Sequence, residues 1–353
     1  MIRKLIKLLY YALTAVSVLA VISPLISPKY FWPASVPGLF FNYLLILHAL
    51  FFAYWVWRKD RTAFLSLAVF LLFAPYLSRV VSFYPVGSAG GLERVHMATY
   101  NIYGLKNYRK QAELDEEAVR QRFVADWRDM PTPDLLCVQE ANGYVQKVLK
   151  QVLAFPHGHL PTGQDMALFS KHAIREKGEI DLPSRSGKCI WADLRIHGKD
   201  LRVYCVHLES NRVSLEADRL MREGNIQESR SWKDAFGLLK RYMTSARDRA
   251  REVEIIKEHL GQSPHPVILA GDINDTPISY TYQQLTGPLA DVFVKNTRGW
   301  SHTYSGTIPF LRIDYIFADE RCQVINYHVP RWEWSDHYPV FAEIALDSLG
   351  GEN

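Results

Sequence analysis

The chain has 353 residues, 48% of them hydrophobic, and a formal net charge of +4. This suits a folded chain of one large domain or two with some membrane content, and no internal repeat or low-complexity tract is present. The charge is unevenly placed: residues 1–90 hold eight basic groups and one acid, net +7, so the remainder is −3. That sign argues against a domain that grips duplex DNA non-specifically, though not against a local basic patch.

Three apolar stretches crowd the N-terminus, at roughly residues 5–26, 39–57 and 63–81. Each is about the length that crosses a ~30 Å hydrocarbon core as a helix, which predicts about three transmembrane helices over residues 1–83. The third is interrupted by Pro75 and ends in Arg79. A cleavable signal peptide is the alternative for the first, with Arg3, Lys4 and Lys7 as its basic flank, but the run is long and has no clear small-x-small cleavage site. Arg3, Lys4 and Lys7 precede the first stretch, Arg58, Lys59 and Arg61 follow the second, and only Lys29 lies between them. The positive-inside rule then predicts an integral membrane protein with its C-terminal domain extracytoplasmic, on the periplasmic, extracellular or lumenal side; two spans would reverse this. The intramembrane polar candidates, Lys7, Asn42 and His48, are too few for an ion path, which favours an anchor.

Residues 84–92 read as a Gly-rich linker, residues 93–347 as a soluble domain and residues 348–353 as a tail. The domain alternates short apolar strands with amphipathic helices. Strands are predicted at 95–102, 135–139, 167–170, 190–196, 201–208, 267–270, 313–317 and 340–344, and helices at 116–129, 144–153 and 245–260. This pattern predicts a mixed α/β domain with more than one sheet layer. The charged stretch 209–245 reads either as a solvated helical face or as a lid beside a site. The cysteines show no CxxC spacing, and Cys137 and Cys205 sit in strand-like runs as small buried hydrophobes; a disulfide cannot be assigned from spacing.

Polar residues recur where the strands end. Asn101 follows Ala98-Thr99-Tyr100, Glu140 follows Val138-Gln139, and His207 follows Cys205-Val206. Asp272 and Asn274 follow Ala270-Gly271, Asp314 lies in Arg312–Phe317, and Asp336-His337 precede the last strand. Strand ends of α/β folds are where ligand sites form. Singly each is an ordinary capping or loop residue; together they are hard to explain structurally. Carboxylates with Asn suit a hard cation such as Mg²⁺ or Mn²⁺, and two His with a further Asp suit proton transfer and charge stabilisation at phosphorus. There is no Walker loop or GxSxG elbow. Thr303, Tyr304 and Arg312 could touch phosphate but read more simply as strand residues and a solvent-facing Arg, and Arg247, Arg249 and Arg251 read as a solvated helix face.

Thr99-Tyr100-Asn101-Ile102, Val138-Gln139-Glu140, Val206-His207-Leu208, Gly271-Asp272-Ile273-Asn274, Arg312-Ile313-Asp314-Tyr315-Ile316 and Ser335-Asp336-His337-Tyr338-Pro339 resemble, in order, the motifs of the endonuclease/exonuclease/phosphatase superfamily, which includes deoxyribonuclease-like and neutral sphingomyelinase-like enzymes. The resemblance covers residues 93–347. It implies a four-layer sandwich of two packed β-sheets flanked by helices. It also implies that Glu140 binds the divalent cation, Asn101 completes or orients that site, and Asp336 sits near the metal. Asp272 would deprotonate the attacking water, Asn274 hold a phosphate oxygen, His337, oriented by Asp314, stabilise the phosphoryl charge, and His207 contact phosphate or assist the leaving group. The expected protein is a membrane-anchored metal-dependent phosphoesterase acting on a phospholipid, a head group or nucleic acid, with no protein partner implied. A phosphodiesterase leads; a nuclease, a phosphomonoesterase and a non-catalytic anchored module are the alternatives.

Overall fold

The computed structural model describes residues 1–83, 93–105, 116–128, 132–210, 220, 229–295, 297–306, 308–332 and 334–346. The proposed linker and tail therefore lie outside the described residues, as does most of 211–228.

The N-terminal segment forms α1 (Ile2–Ile22), the short α2 (Ser35–Leu39), α3 (Phe41–Trp57) and α4 (Ala63–Leu77). At one end Asp60 pairs with Arg3 at 2.7 Å and Lys7 at 3.0 Å. Inside the bundle Tyr10 meets Ser66 at 2.6 Å and Ser17 meets His48 at 2.8 Å, so polar groups among apolar neighbours find partners. Many outward side chains are apolar and exposed, among them Leu8, Leu19, Leu50, Phe64 and Leu71. Residues Ile2–Leu25 form one helix long and apolar enough to cross a membrane; Trp32–Leu39 and Phe41–Trp57 qualify only together, as a pair bent by 54°. At 1.5 Å per residue the 15-residue α4 is ~22 Å long, short of a ~30 Å core. Among the described residues there is thus one such helix, or two counting the bent pair, where three were expected.

After β1 (Val81–Phe83), the catalytic-size domain runs β2 (Arg94–Asn101), α5 (Glu116–Arg128), β3 (Leu135–Gln139), α6 (Gly143–Leu153), β4 (His157–His159), β5 (Ala167–Ser170), β6 (Ile174–Ile180), β7 (Lys188–Ile196) and β8 (Lys199–His207). It continues through α7 (Ser229–Gly261), β9 (Val267–Asp272), α8 (Tyr280–Leu285), β10 (Ala290–Asp291), α9 (Val292–Lys295), β11 (Arg298–Trp300), β12 (Asp314–Ala318), β13 (Gln323–His328) and β14 (Val340–Ala345). One six-stranded sheet has the order β13-β14-β2-β3-β5-β4 and the other β10-β12-β9-β8-β7-β6, while β1 pairs with β11. The alternating strands place Val95, Met97, Leu135 and Cys137 of one sheet against Ile190, Val203, Cys205 and Ile268 of the other. The outer face of the first sheet packs Ala98, Leu136 and Val138 on Phe123 of α5 and Val145 of α6. The outer face of the second packs Tyr204 and Leu269 on Val253 and Ile256 of α7. This is the expected four-layer α/β/β/α sandwich. Each fully buried Leu, Ile or Val contributes ~1.5–3 kcal/mol.

All eight predicted strands form, with ends moved by at most two residues. Of those not predicted, β1, β4, β10 and β11 have two or three residues and β6 is charged along much of its length, while β13 (Gln323–His328) breaks its apolar run with Asn326 and a register shift. Helix α7 starts at Ser229 rather than at 245, because Trp232, Leu238, Leu239, Tyr242 and Met243 carry the apolar helical spacing further back. The described part of the 209–245 stretch from Ser229 onward is thus the first half of α7, with Leu238, Tyr242 and Met243 buried and residues 232–234 and 236 exposed. Arg249 corrects another reading: it is fully buried, with Nε 3.2 Å from Asp275 and Nη1 on the Glu209 carbonyl. Arg312, 2% exposed, neither faces solvent nor reaches the phosphate position; it forks onto Asp291 at 3.1 and 2.7 Å and donates to the Arg79 carbonyl. The four cysteines are free and buried.

Gly271 lets β8 and β9 approach closely. Its φ is +149°, and a Cβ there would lie 1.9 Å from the Val206 carbonyl oxygen. Gly271→Ala is expected to destabilise the protein by ~3 kcal/mol or more in denaturant unfolding, since both backbone and space oppose the methyl. An unchanged midpoint would contradict this.

Candidate active site

The second sheet delivers three side chains in a row. β8 runs parallel to β9 with His207 opposite Asp272, and β12 runs antiparallel to β9 with Asp314 opposite Asp272. The first sheet supplies Asn101 at the end of β2, and Glu140 one residue past β3. Glu140 and Asn274 both hold φ of 53°, a left-handed conformation costing ~1–3 kcal/mol in a non-glycine residue and concentrated at functional sites.

Asn101 Nδ2 donates to Asp272 Oδ2 at 3.0 Å and to Glu140 Oε1 at 3.3 Å, linking the two sheets, while its Oδ1 accepts from the Tyr103 N–H. Asp272 Oδ1 accepts from the Asn274 N–H at 2.8 Å, and the Asn274 side chain donates to the Leu208 carbonyl. His337 Nδ1 lies 2.9 Å from Asp314 Oδ2, leaving its Nε2 3.9 Å from Asp272 Oδ2. His207 Nε2 lies 3.8 Å from that same oxygen and 3.9 Å from Glu140 Oε1. These last separations are too long for hydrogen bonds and suit an intervening atom. Among the described residues the buried His207 Nε2 has no hydrogen-bond partner, an arrangement that costs ~1–3 kcal/mol unless a ligand supplies one.

Burial pushes the His337 imidazole down, but the carboxylates of Asp314 and Asp272 outweigh it and hold the ring well above its usual range. Burial, then repulsion from Asp314, pushes the Asp272 carboxyl up, against the pull of His337, His207 and Asn101. Burial likewise raises Asp336, opposed by His337 and reinforced by Glu140. Because the folded His337 pKa is raised, its pairing stabilises the fold fully below pH ~6.5 and is lost as pH rises through the folded value. Asp314→Asn removes the main attraction, so the alkaline limb of a kcat–pH profile is expected to move to lower pH. A limb that stays in place would contradict the pairing.

Asp272, Asp314 and His337 offer ligand atoms within 4.8 Å of one another, a grouping that could hold a metal ion. Here His337 Nδ1 is already bonded to Asp314, an arrangement that keeps the ring a donor. The carboxylates of Glu140 and Asp336 are a second group of the hard oxygen type that a divalent cation takes; burial raises Asp336 and the Glu140 charge adds to it, a repulsion that such a cation would relieve. With its amide turned as it is, Asn101 orients Glu140 rather than presenting an oxygen.

Residues 98–337 match the profile described as Endonuclease/Exonuclease/phosphatase family. The chain belongs to this family. Its members are typically divalent-metal-dependent phosphoesterases. Residues 3–80 match a second profile, Domain of unknown function (DUF8431). A comparison with curated proteins finds no match. Among solved structures, the family protein from Bacteroides thetaiotaomicron aligns with TM-score 0.52 and 17% identity over 74% of this chain and 98% of that one. The family protein from Bacteroides vulgatus aligns with TM-score 0.52 and 18% identity over 72% and 100%. D. rerio TDP2 complexed with single strand DNA product aligns with TM-score 0.50 and 18% identity over 71% and 99%. At these identities the likeness is one of fold.

The fold brings Asn101, Glu140, His207, Asp272, Asp314 and His337 together directly. Asn274 joins through its backbone, and Asp336 precedes His337, its Oδ1 accepting from Ser335 Oγ at 3.3 Å and its carboxyl close enough to feel the Glu140 charge. Three residues support the site in ways that the sequence reading does not assign them. Ser335 Oγ donates to the Asn101 carbonyl at 2.7 Å and accepts from the His337 N–H, tying the end of β2 to the segment that leads into β14. Thr303 does not reach for phosphate; its Oγ1 accepts from the Ile313 and Asp314 N–H groups. Asp275 binds Tyr242, Arg249 and Thr281 beneath Asn274. Ser335 lies within a motif, the only signal the sequence offers for the three.

Proposed function

We propose that this chain is a membrane-anchored, divalent-metal-dependent phosphodiesterase that uses water as nucleophile. The observation that carries the reading is the convergence of a charged, Asp314-paired His337 and the unpartnered His207 Nε2 on one oxygen of Asp272. A phosphate in that gap meets a cation at His337, whose hydrogen bond strengthens as charge develops on the phosphoryl oxygens. Asp272 takes the proton of the attacking water; its raised affinity for protons favours that task near neutral pH. Asn274 holds a phosphate oxygen, and His207 hands a proton to the leaving oxygen. Glu140 and Asp336, oriented by Asn101, would hold the Mg²⁺ or Mn²⁺, which supplies neutralisation of phosphate charge.

Residues 1–83 form the anchor on this reading, and 93–347 the catalytic domain. The Arg3–Lys7–Asp60 cluster lies at one end of the helical bundle, while Lys29 pairs with Glu254 of α7 at 2.9 Å at the other. That polarity supports an extracytoplasmic catalytic domain. The net charge of −3 after residue 90 favours a substrate other than duplex nucleic acid. Full-length protein tested against bis(p-nitrophenyl) phosphate, p-nitrophenyl phosphate, phosphatidylcholine vesicles and a single-stranded oligonucleotide, with and without Mg²⁺ or Mn²⁺, checks the reading. Metal-dependent diester cleavage is expected. Preference for the oligonucleotide would make it a nuclease, and folded protein silent on every substrate would favour a binding module.

A further inference from the structure

A cavity of about 440 Å³ adjoins the site where the apolar helices meet the catalytic domain, within the ~300–1,000 Å³ usual for small-ligand sites. Its walls come from residues 38–43, 235–242, 274–278 and 308–313, and Asn274 is one of them. Leu39, Phe40, Leu238, Leu239, Ile278 and Phe310 make it predominantly apolar. Several polar groups in the wall are turned to neighbours: Tyr242 OH binds Asp275, Asn42 Nδ2 donates to the Phe310 carbonyl, and Tyr43 OH donates to the Pro309 carbonyl, while Asn42 Oδ1 and Thr276 Oγ1 have no partner among the described residues. The chamber therefore offers little to a polar head group and much to a hydrocarbon chain.

Large aromatics stand exposed around it. Phe40 and Phe310 belong to its wall, and Trp232 and Phe236 project from the helix that supplies Ala235 and Leu239, with relative exposures of 64% and 67%. Aromatic side chains of this kind settle at membrane–water interfaces, and helices α1 and α3 reach the catalytic domain at this same end. Ser23 Oγ contacts the Ile278 carbonyl, and Gly38 packs so tightly that a Cβ would lie 2.1 Å from that carbonyl oxygen. If these apolar helices anchor the chain as proposed above, the chamber lies at the membrane-facing end of the larger domain.

We propose that this chamber seats a hydrocarbon tail of a phospholipid substrate whose phosphate lies at Asn274. The proposal rests on the phosphodiesterase reading and specifies its substrate class. A lipid drawn partly out of the bilayer would keep its tail in apolar surroundings between Leu239, Ile278 and Phe310 while the phosphate reached Asp272 and His337.

The test is calorimetric titration of the full-length protein in one nonionic detergent with n-alkyl phosphates of two, six and ten carbons. It compares wild type with Leu239→Gln, which makes the wall polar, and Ala235→Trp, which fills the space. Partition into micelles is the same for each protein, so the variant-to-wild-type ratio of Kd reads the chamber. The expected ratio is near one for the two-carbon phosphate and rises to about tenfold or more at ten carbons, since each buried methylene contributes roughly a threefold gain. Equal ratios at every length, in variants that turn over bis(p-nitrophenyl) phosphate normally, would overturn the tail site and leave the phosphodiesterase reading standing. Absence of turnover in wild type would instead remove that reading, while the binding ratios would still report on the chamber.

Discussion

Asp272→Asn is expected to lower kcat by about 10³-fold, within the ~10²–10⁴-fold range of a general base, while leaving the unfolding midpoint close to wild type. The carboxyl is 1% exposed and lies between two imidazoles and a second carboxylate. Asparagine keeps the shape, and its Oδ1 can still accept from the Asn274 N–H, so the turn after β9 is preserved; its Nδ2 then meets the Asn101 Nδ2 donor, a mismatch of about 1–3 kcal/mol that opposes the relief of the buried charge. Burial and Asp314 already oppose the charge of Asp272, so removing it relieves a cost of folding as it removes the proton acceptor. Steady-state kinetics beside thermal unfolding check both halves. A folded variant with kcat within a few-fold of wild type would assign the base elsewhere.

Glu140→Gln is expected to lower turnover at saturating substrate by ~10²-fold or more and to abolish the stabilisation that Mg²⁺ or Mn²⁺ gives the wild type. A cation bound only to the folded state raises stability by ~2.7 kcal/mol at a hundred times its Kd, a shift that thermal unfolding reads without any substrate. Chelation of the wild type should reproduce the variant, and re-addition of metal should restore only the wild type. If Glu140→Gln keeps its metal response while a change at Asp314 loses it, the ion belongs to the Asp272, Asp314 and His337 grouping instead.

Much of the site was legible because buried strands exclude polar groups, so Asn101, Asp272 and Asp314 stand out against Tyr100, Ala270 and Ile316. The pairing of Asp314 with His337 followed only through family resemblance, and the register of β12 on β9 supplies its physical basis. Arg249 and Arg312 could not be read in this way. A charged residue reads as exposed unless its partner is known, and Asp275 and Asp291 become partners only after the chain folds. The apolar N-terminal helices were legible as composition but not as a number of crossings, since hydropathy does not reveal the bend between α2 and α3. The apolar chamber was invisible, because its walls come from stretches scattered between Gly38 and Ile313.

The central claim is that water attacks phosphorus with help from Asp272 and His337. Hydrolysis of bis(p-nitrophenyl) phosphate in ¹⁸O-labelled water by the full-length protein with Mg²⁺, followed by ³¹P NMR, tests it most directly. The account predicts one labelled oxygen in the p-nitrophenyl phosphate released, with Asp272→Asn and His337→Gln producing almost none. Label found in p-nitrophenol instead, or product formed as fast by both variants, would contradict it.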